Sequence, residues 1–196
     1  MLAIQTRSPE ETRILGASLA PMLFPGDVIS LTGDLGAGKT VFVQGLSAVL
    51  GVQQRVTSPT FIIVHEYQGR YPILHLDVYR LNSFQEVIDL GFEEFLDPQA
   101  ILLIEWGEAV APLLPRRYLE IGIRQADEPE AVFERLVTFH PHGPEWIRKL
   151  EGMRNTAEAL IDAASPEVES EARFFDRRAS SPREDRQTDE GLAGEA

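Results

Sequence analysis

Eight consecutive residues constrain this chain more than any others: Gly33-Asp34-Leu35-Gly36-Ala37-Gly38-Lys39-Thr40. They fit G-x-x-x-x-G-K-[ST] at every fixed position, the pattern of a phosphate loop. Such a loop works in one setting, between a buried strand and a helix. Val28-Ile29-Ser30-Leu31-Thr32 precedes it, a mostly apolar run of strand length. Phe42, Leu46, Val49 and Leu50 follow at helical spacing, and Gly51 stands where a helix stop belongs. An α/β domain organised on a phosphate site is the expectation.

The chemistry follows from the residue types. Glycines at 33, 36 and 38 permit backbone angles and a close approach that side chains forbid. The loop N–H groups then form an anion nest, reinforced by the positive end of the helix that begins at Lys39. Lys39 is expected to reach the β- and γ-phosphates, and the Thr40 hydroxyl to bind Mg²⁺. A second element fits the same site. Ala100-Ile101-Leu102-Leu103-Ile104 runs into Glu105 and Trp106, the form of a strand buried on both faces with an acid at its tip. Metal contact by Glu105 is the favoured reading, and Trp106 is expected to pack beside it. Asp77 also closes an apolar strand. It could bind Mg²⁺, orient water, or pair with Arg80 to fix a turn, and the sequence leaves these open.

In chain order, Ser8-Pro9-Glu10-Glu11 reads as a helix start, with Ser8 as N-cap and Glu11 as capping-box partner. Leu15, Leu19, Met22 and Leu23 give that helix an apolar stripe. Thr12 lies early on it, by default an exposed helical threonine. Pro25-Gly26-Asp27 is a turn. Arg55 to Thr60 suits a loop, either an ordinary connection or a γ-phosphate sensor. Phe61–Tyr67 and Tyr71–Asp77 flank Gln68-Gly69-Arg70 as a β-hairpin. Ser83 and Glu86 form a second capping box, with a short helix ending near Gly91. Pro112 to Pro115 is a break. Tyr118–Ile123 alternates as a half-buried strand. Asp127-Glu128-Pro129 is a turn, and Phe133–Phe139 reads as a closing strand. Arg135 on that strand could reach a nucleotide or face solvent. The hairpin and the late strands call for a mixed sheet rather than a parallel one.

His140 to Pro144 looks like a domain edge, and its histidines suggest a metal only weakly. Trp146, Leu150, Met153, Ala157, Leu160 and Ile161 then make a helical stripe. Residues 1–143 are expected to form the phosphate-loop domain, 144–164 a C-terminal helix, and 165–196 a disordered acidic tail. The 196 residues suit one domain with such a tail, and a 43% hydrophobic content supplies a core. There is no cysteine, so disulfides and thiolate metal sites are excluded. The net charge of −13 disfavours direct nucleic-acid binding through the chain's own surface. The first residues lack the apolar core of a signal peptide, and no apolar run is long enough to span a membrane. The cytoplasm is the expected location.

Four motifs, taken together, resemble a known family. They are the phosphate loop, Thr57-Ser58-Pro59-Thr60-Phe61, His75-Leu76-Asp77-Val78-Tyr79-Arg80 and Ile104-Glu105-Trp106, in this order and spacing. They look like the bacterial TsaE family, the ATPase subunit of the machinery that makes N6-threonylcarbamoyladenosine in tRNA. The resemblance covers about residues 8 to 139. It implies that Gly33 to Thr40, including Asp34, Leu35, Gly36, Ala37, Gly38 and Lys39, bind ATP phosphates. Thr40 and Glu105 would serve Mg²⁺, and Lys39, Asp77 and Glu105 would be the catalytic set. Thr57, Ser58, Pro59 and Thr60 would form a switch-like loop. Thr12 matches a threonine near the nucleotide, and Arg135 matches a late-strand arginine. The implied partners are a threonylcarbamoyltransferase subunit and its paralogous scaffold subunit, with tRNA met only through that complex. Hydrolysis would reset the complex between turnovers.

Two other readings share the phosphate loop. A small-molecule kinase would need an acceptor pocket and a basic lid, to which Arg116 and Arg117 could contribute. A nucleotide-gated binding module would lack catalysis, against which Lys39, Thr40, Asp77 and Glu105 all argue. A GTPase is disfavoured because no N-K-x-D guanine motif is present.

Overall fold

The computed structural model describes residues 2–59, 62–81, 84–126 and 132–164. Thr60 of the switch-like loop, Ser83 of the second capping box, the Asp127-Glu128-Pro129 turn and the acidic tail from 165 lie outside the described residues.

Among the described residues seven strands form a single mixed sheet: β1 (Leu2–Thr6), β2 (Val28–Thr32), β3 (Val64–Gln68), β4 (Pro72–Asp77), β5 (Ile101–Glu105), β6 (Tyr118–Gln125) and β7 (Arg135–His142). Their order across the sheet is β1-β7-β6-β2-β5-β4-β3. The centre is parallel: β2 pairs with β5 and β6, and β4 with β5. Both margins are antiparallel, through β3–β4 on one side and β6–β7–β1 on the other. The mixed α/β sheet of a phosphate-loop nucleotide-binding fold is what the sequence predicts.

Among the described residues four α-helices accompany the sheet: α1 (Pro9–Leu19), α2 (Lys39–Val49), α3 (Phe84–Asp89) and α4 (Pro144–Ala164). The period-two alternation of the central strands sorts the core into two layers. Ile29, Leu31, Ile101 and Leu103 join Leu15 and Leu19 of α1, Phe42 and Leu46 of α2, and Trp146 and Met153 of α4. Val28, Leu102 and Ile104 face the opposite way and meet Val87 of α3, with Phe92 and Val110 from short 3₁₀ turns. Covered on both faces, β5 is buried at all five positions, which accounts for its unbroken apolar reading.

Helix α1 begins as the sequence predicts. Ser8 is extended and accepts from the Glu11 N–H at 3.1 Å, and the Glu11 carboxylate accepts from the Arg7 N–H at 2.7 Å. Helices α1 and α2 press together through two glycines. A Cβ at Gly16 would collide with the Phe42 carbonyl, and one at Gly45 with the Arg13 carbonyl. Small residues at both contact points allow the backbones this approach.

Three elements depart from the sequence reading. Strand β1 has no counterpart in it; Leu2, Ile4 and Thr6 offer only three inward positions, too short a pattern to stand out. Phe61, where the hairpin strand is expected to begin, lies outside the described residues; among those described the strand starts at Val64, because Ile62 lies in a turn and Ile63 takes φ 69°. The closing strand starts at Arg135, and Phe133 sits in the preceding turn, 63% exposed. Strand β7 then continues through His142, and Gly143 turns the chain into α4. No helix of the described residues is long and apolar enough to cross a membrane.

Candidate active site

The phosphate loop joins β2 to α2, at the carboxyl end of the parallel strands, where side chains from neighbouring strand tips converge. Its glycines take the angles the sequence calls for. Gly33, Gly36 and Gly38 have φ of 127°, 80° and 110°. Gly33 is also closely covered, because a Cβ there would strike the Ile123 carbonyl of β6. Asp34, Leu35 and Gly36 are exposed at the mouth, and Ala37 is buried beneath them.

Lys39 opens α2 and is only 4% exposed. Its Nζ donates to the carbonyls of Gly33 at 2.6 Å and Asp34 at 3.0 Å. The Trp106 ring lies over the same ammonium, 3.6 Å from Nζ to the ring centroid, and Tyr79 packs on Trp106 at 4.7 Å. Burial pulls the Lys39 ammonium below its ordinary value, opposed by the charges of Glu105, Glu108, Asp77 and Asp34. Trp106 takes φ 64°, a left-handed angle uncommon for a bulky side chain. Rather than simply packing beside Glu105, it is half-buried and caps the lysine. Strand patterning carries no sign of this contact, since it arises from the turn after β5.

Thr40 and Glu105 meet directly. The Thr40 hydroxyl lies 2.8 Å from Glu105 Oε1 and 3.0 Å from Oε2. Glu105 is 3% exposed and also receives His75 Nε2 on Oε1 at 2.9 Å. A hydroxyl and a carboxylate beside a phosphate nest are the hard oxygen donors that Mg²⁺ takes together with phosphate oxygens and water. No cluster of three or more metal-ligating side chains exists among the described residues. The donor set therefore fits a cation that arrives with a nucleotide better than a resident one.

Asp77, at the tip of β4, stands opposite Glu105 in the parallel register. It is 4% exposed. Ser58 Oγ donates to its Oδ2, the Tyr79 N–H donates to Oδ1 at 3.0 Å, and its own N–H donates to the Ile63 carbonyl at 2.9 Å. Through Ser58, Asp77 thus fastens the Thr57–Pro59 loop to the tip of β4. The loop is held again at its start, where the Thr57 N–H donates to the Tyr67 hydroxyl at 3.3 Å. A cavity of about 320 Å³ joins these groups, lined by the loop together with Ser58, Asp77, Tyr79, Glu105 and Trp106.

Thr12 and Arg135 lie on the other side of the loop. Thr12 is 2% exposed, which overturns its reading as a surface threonine. Its hydroxyl meets that of Thr6 at 2.8 Å, so β1, unseen in the sequence, is what covers it. Arg135 Nε donates to the Ala37 carbonyl at 2.9 Å and its Nη1 to those of Val132 and Glu134. Thr12, Arg135, Phe133 and Pro9 border a second hollow of about 160 Å³ against Gly36 to Gly38. Thr12, Ser58, Asp77, Glu105 and Arg135 are therefore gathered around the phosphate loop, whereas Thr57 is bonded to Tyr67. His75 and Trp106 are the additions that sequence reasoning did not assign to the site. The signals for His75 are its place in the His75–Arg80 motif and a histidine inside an apolar strand.

Comparison with known proteins gives the family and the fold. A family model described as "Threonylcarbamoyl adenosine biosynthesis protein TsaE" matches residues 6–135. The tRNA threonylcarbamoyladenosine biosynthesis protein TsaE of Bacillus subtilis (strain 168) is 42% identical over 136 residues, 69% of this chain and 82% of that protein. The protein of the same name from Treponema pallidum (strain Nichols) is 42% identical over 119 residues, 61% of this chain and 88% of its own length. The crystal structure of Bacillus subtilis YdiB aligns with a TM-score of 0.67 and 35% identity, covering 79% of this chain and 94% of that one. The family match takes in the loop, both acidic strand tips and the arginine that braces Ala37, and on it the chain belongs to the TsaE family of threonylcarbamoyl adenosine biosynthesis proteins.

Proposed function

We propose that this chain is a Mg²⁺-dependent ATPase that acts in the cytoplasm with a threonylcarbamoyltransferase subunit and its paralogous scaffold subunit. Its hydrolysis of ATP would reset that complex between rounds of tRNA modification. The observation that carries the reading is the Thr40–Glu105 pair, a half-buried hydroxyl and a buried carboxylate joined beside a complete phosphate loop.

In this reading the loop N–H groups and Lys39 hold the β- and γ-phosphates, with Lys39 exchanging its carbonyl partners for phosphate oxygens. Thr40 and Glu105 hold Mg²⁺, which when bound neutralises phosphate charge. Asp77 accepts a hydrogen bond from the attacking water. The water oxygen forms a bond to the γ-phosphorus as the bond to the β,γ-bridging oxygen breaks, giving ADP, phosphate and a proton. Because Ser58 is bonded to Asp77, loss of the γ-phosphate is felt by the Thr57–Pro59 loop. Thr12 and Arg135 flank the loop on the nucleoside side. The formal charge of −13 supports an indirect route to tRNA.

Hydrolysis measured with Mg²⁺, alone and with the transferase pair, tests the proposal. Stimulation by the pair is expected. Lys39→Ala should abolish it and weaken ATP binding by roughly 10- to 100-fold, since a charged hydrogen-bond donor is lost. Equal hydrolysis with and without the pair would remove the partner assignment. Bound but unhydrolysed ATP in both conditions would leave a nucleotide-gated binding module instead.

A further inference from the structure

A buried histidine, His75, lies beside the acidic tips of β4 and β5. The strands are parallel, with His75 beside Leu103 and Asp77 beside Glu105. Side chains two apart on a strand share a face, so His75 lies diagonal to Glu105 on the layer that faces α2. The nearby inward positions on that layer, Ile73, Ile101 and Leu103, are aliphatic and fully buried. His75 is equally buried, at 0% exposure, and the Tyr67 ring is 6.2 Å away.

An imidazole in such a slot is costly unless its polar atoms are used. Only one is. Nδ1 has no hydrogen-bond partner among the described residues, whereas Nε2 lies 2.9 Å from Glu105 Oε1. A carboxylate only accepts, so Nε2–H is the donor. Glu105 then carries two donors on Oε1, from Thr40 and His75, and only the longer Thr40 contact on Oε2. With Thr40 alone the carboxylate could swing about a single partner. With His75 it is held by two donors from different elements, and Oε2 is the less engaged oxygen.

We propose that His75 is a positioning residue for Glu105: it fixes the carboxylate so that Oε2 is presented toward the metal side of the phosphate site. This rests on the reading of Thr40 and Glu105 as the Mg²⁺ pair. A donor behind a metal-ligating group sets that group's orientation and strength, and loss of such a donor typically costs about 10- to 100-fold in metal affinity or activity.

The experiment titrates Mg²⁺ against full-length protein and a fluorescent ATP analogue, reading nucleotide binding as well as hydrolysis. His75→Leu should raise the half-saturating Mg²⁺ concentration by about 10- to 100-fold. Binding of the analogue in EDTA should stay near wild type, showing that the loop is intact. His75→Gln places an amide nitrogen near the position of Nε2 and should recover most of the loss. His75→Asn, whose nitrogen falls short at the position of Nδ1, should not. The Gln and Asn variants differ little in polarity, so their comparison holds even if the Leu variant folds poorly. Equal Mg²⁺ midpoints for the Gln and Asn variants would overturn the role of His75. So would a loss of EDTA-phase binding in step with the Mg²⁺ response. Glu105→Ala is the separate control. If it keeps the wild-type Mg²⁺ midpoint, the magnesium pair itself is refuted, and the inference with it.

Discussion

The two halves of the sheet use burial differently. On the antiparallel side, β6, β7 and β1 bury Leu119, Ile121, Ile123, Val137 and Phe139 and place polar or partly exposed residues between them. That is ordinary two-layer patterning, in which each buried side chain contributes by leaving water. On the parallel side, the carboxyl ends of β4 and β5 bury His75, Asp77 and Glu105, with Lys39 and Thr40 of α2 against them. Those groups are stabilised by one another and by nearby carbonyls, hydroxyls and N–H groups, and burying them costs free energy that apolar residues would not. A tip of aliphatic residues would favour stability; a tip of mutually bonded polar groups favours a site that can respond to phosphate.

This contrast separates mutations that act on folding from those that act on chemistry. The largest effect is expected from the antiparallel side. Phe139→Ala empties a fully buried position beside Phe42 and should cost about 3–5 kcal/mol of stability. Denaturant melts would show it, while ATP affinity of the folded fraction should hardly change. A large affinity loss there would blur the division. Glu105→Ala is the opposite case. Turnover should fall on the order of 100-fold, the scale seen when an electrostatic stabiliser is removed. Thr40 and His75 would each lose a partner, so a modest drop in melting temperature should accompany it. Unchanged Mg²⁺-dependent turnover would show that the acid at β5 is structural.

The smallest effect should come from Ser58→Ala. It removes one donor to Asp77 and leaves the Tyr79 N–H in place. Loss of one such bond corresponds to about 1 kcal/mol, or roughly fivefold in turnover. Asp77→Ala should cost more than this. Should the two variants be equally impaired in single-turnover assays, Asp77 would act only by holding the loop, and its water-orienting role would be lost.

Much of the site could be read from the chain because it is built from local patterns. Gly33 to Thr40 needs only its own backbone and the strand and helix on either side. Glu105 is marked by the apolar run before it, since a strand covered on both faces must end where a charge appears. Asp77 is marked in the same way, but its role stayed open because a strand-end carboxylate can serve its own turn or a distant ligand. Thr12 was misread for a related reason. Whether a helical threonine is exposed depends on what packs over it, and β1 reaches it only by pairing with β7, more than a hundred residues away.

The sequence by itself thus determined which segments are strands and helices near the loop, where phosphate would sit, and which two strands end in acids. Turn chemistry and side-chain periodicity act over a few residues, so they are written in order along the chain. Tertiary structure alone decided that β5 lies between β2 and β4, bringing Glu105 to both Thr40 and His75. It also decided that Arg135 braces Ala37 and that Trp106 caps Lys39. Those contacts join residues 30 to 98 positions apart, or reach the loop through a turn after β5. Strand order is set by how the whole core packs, and no stretch of sequence carries that information alone.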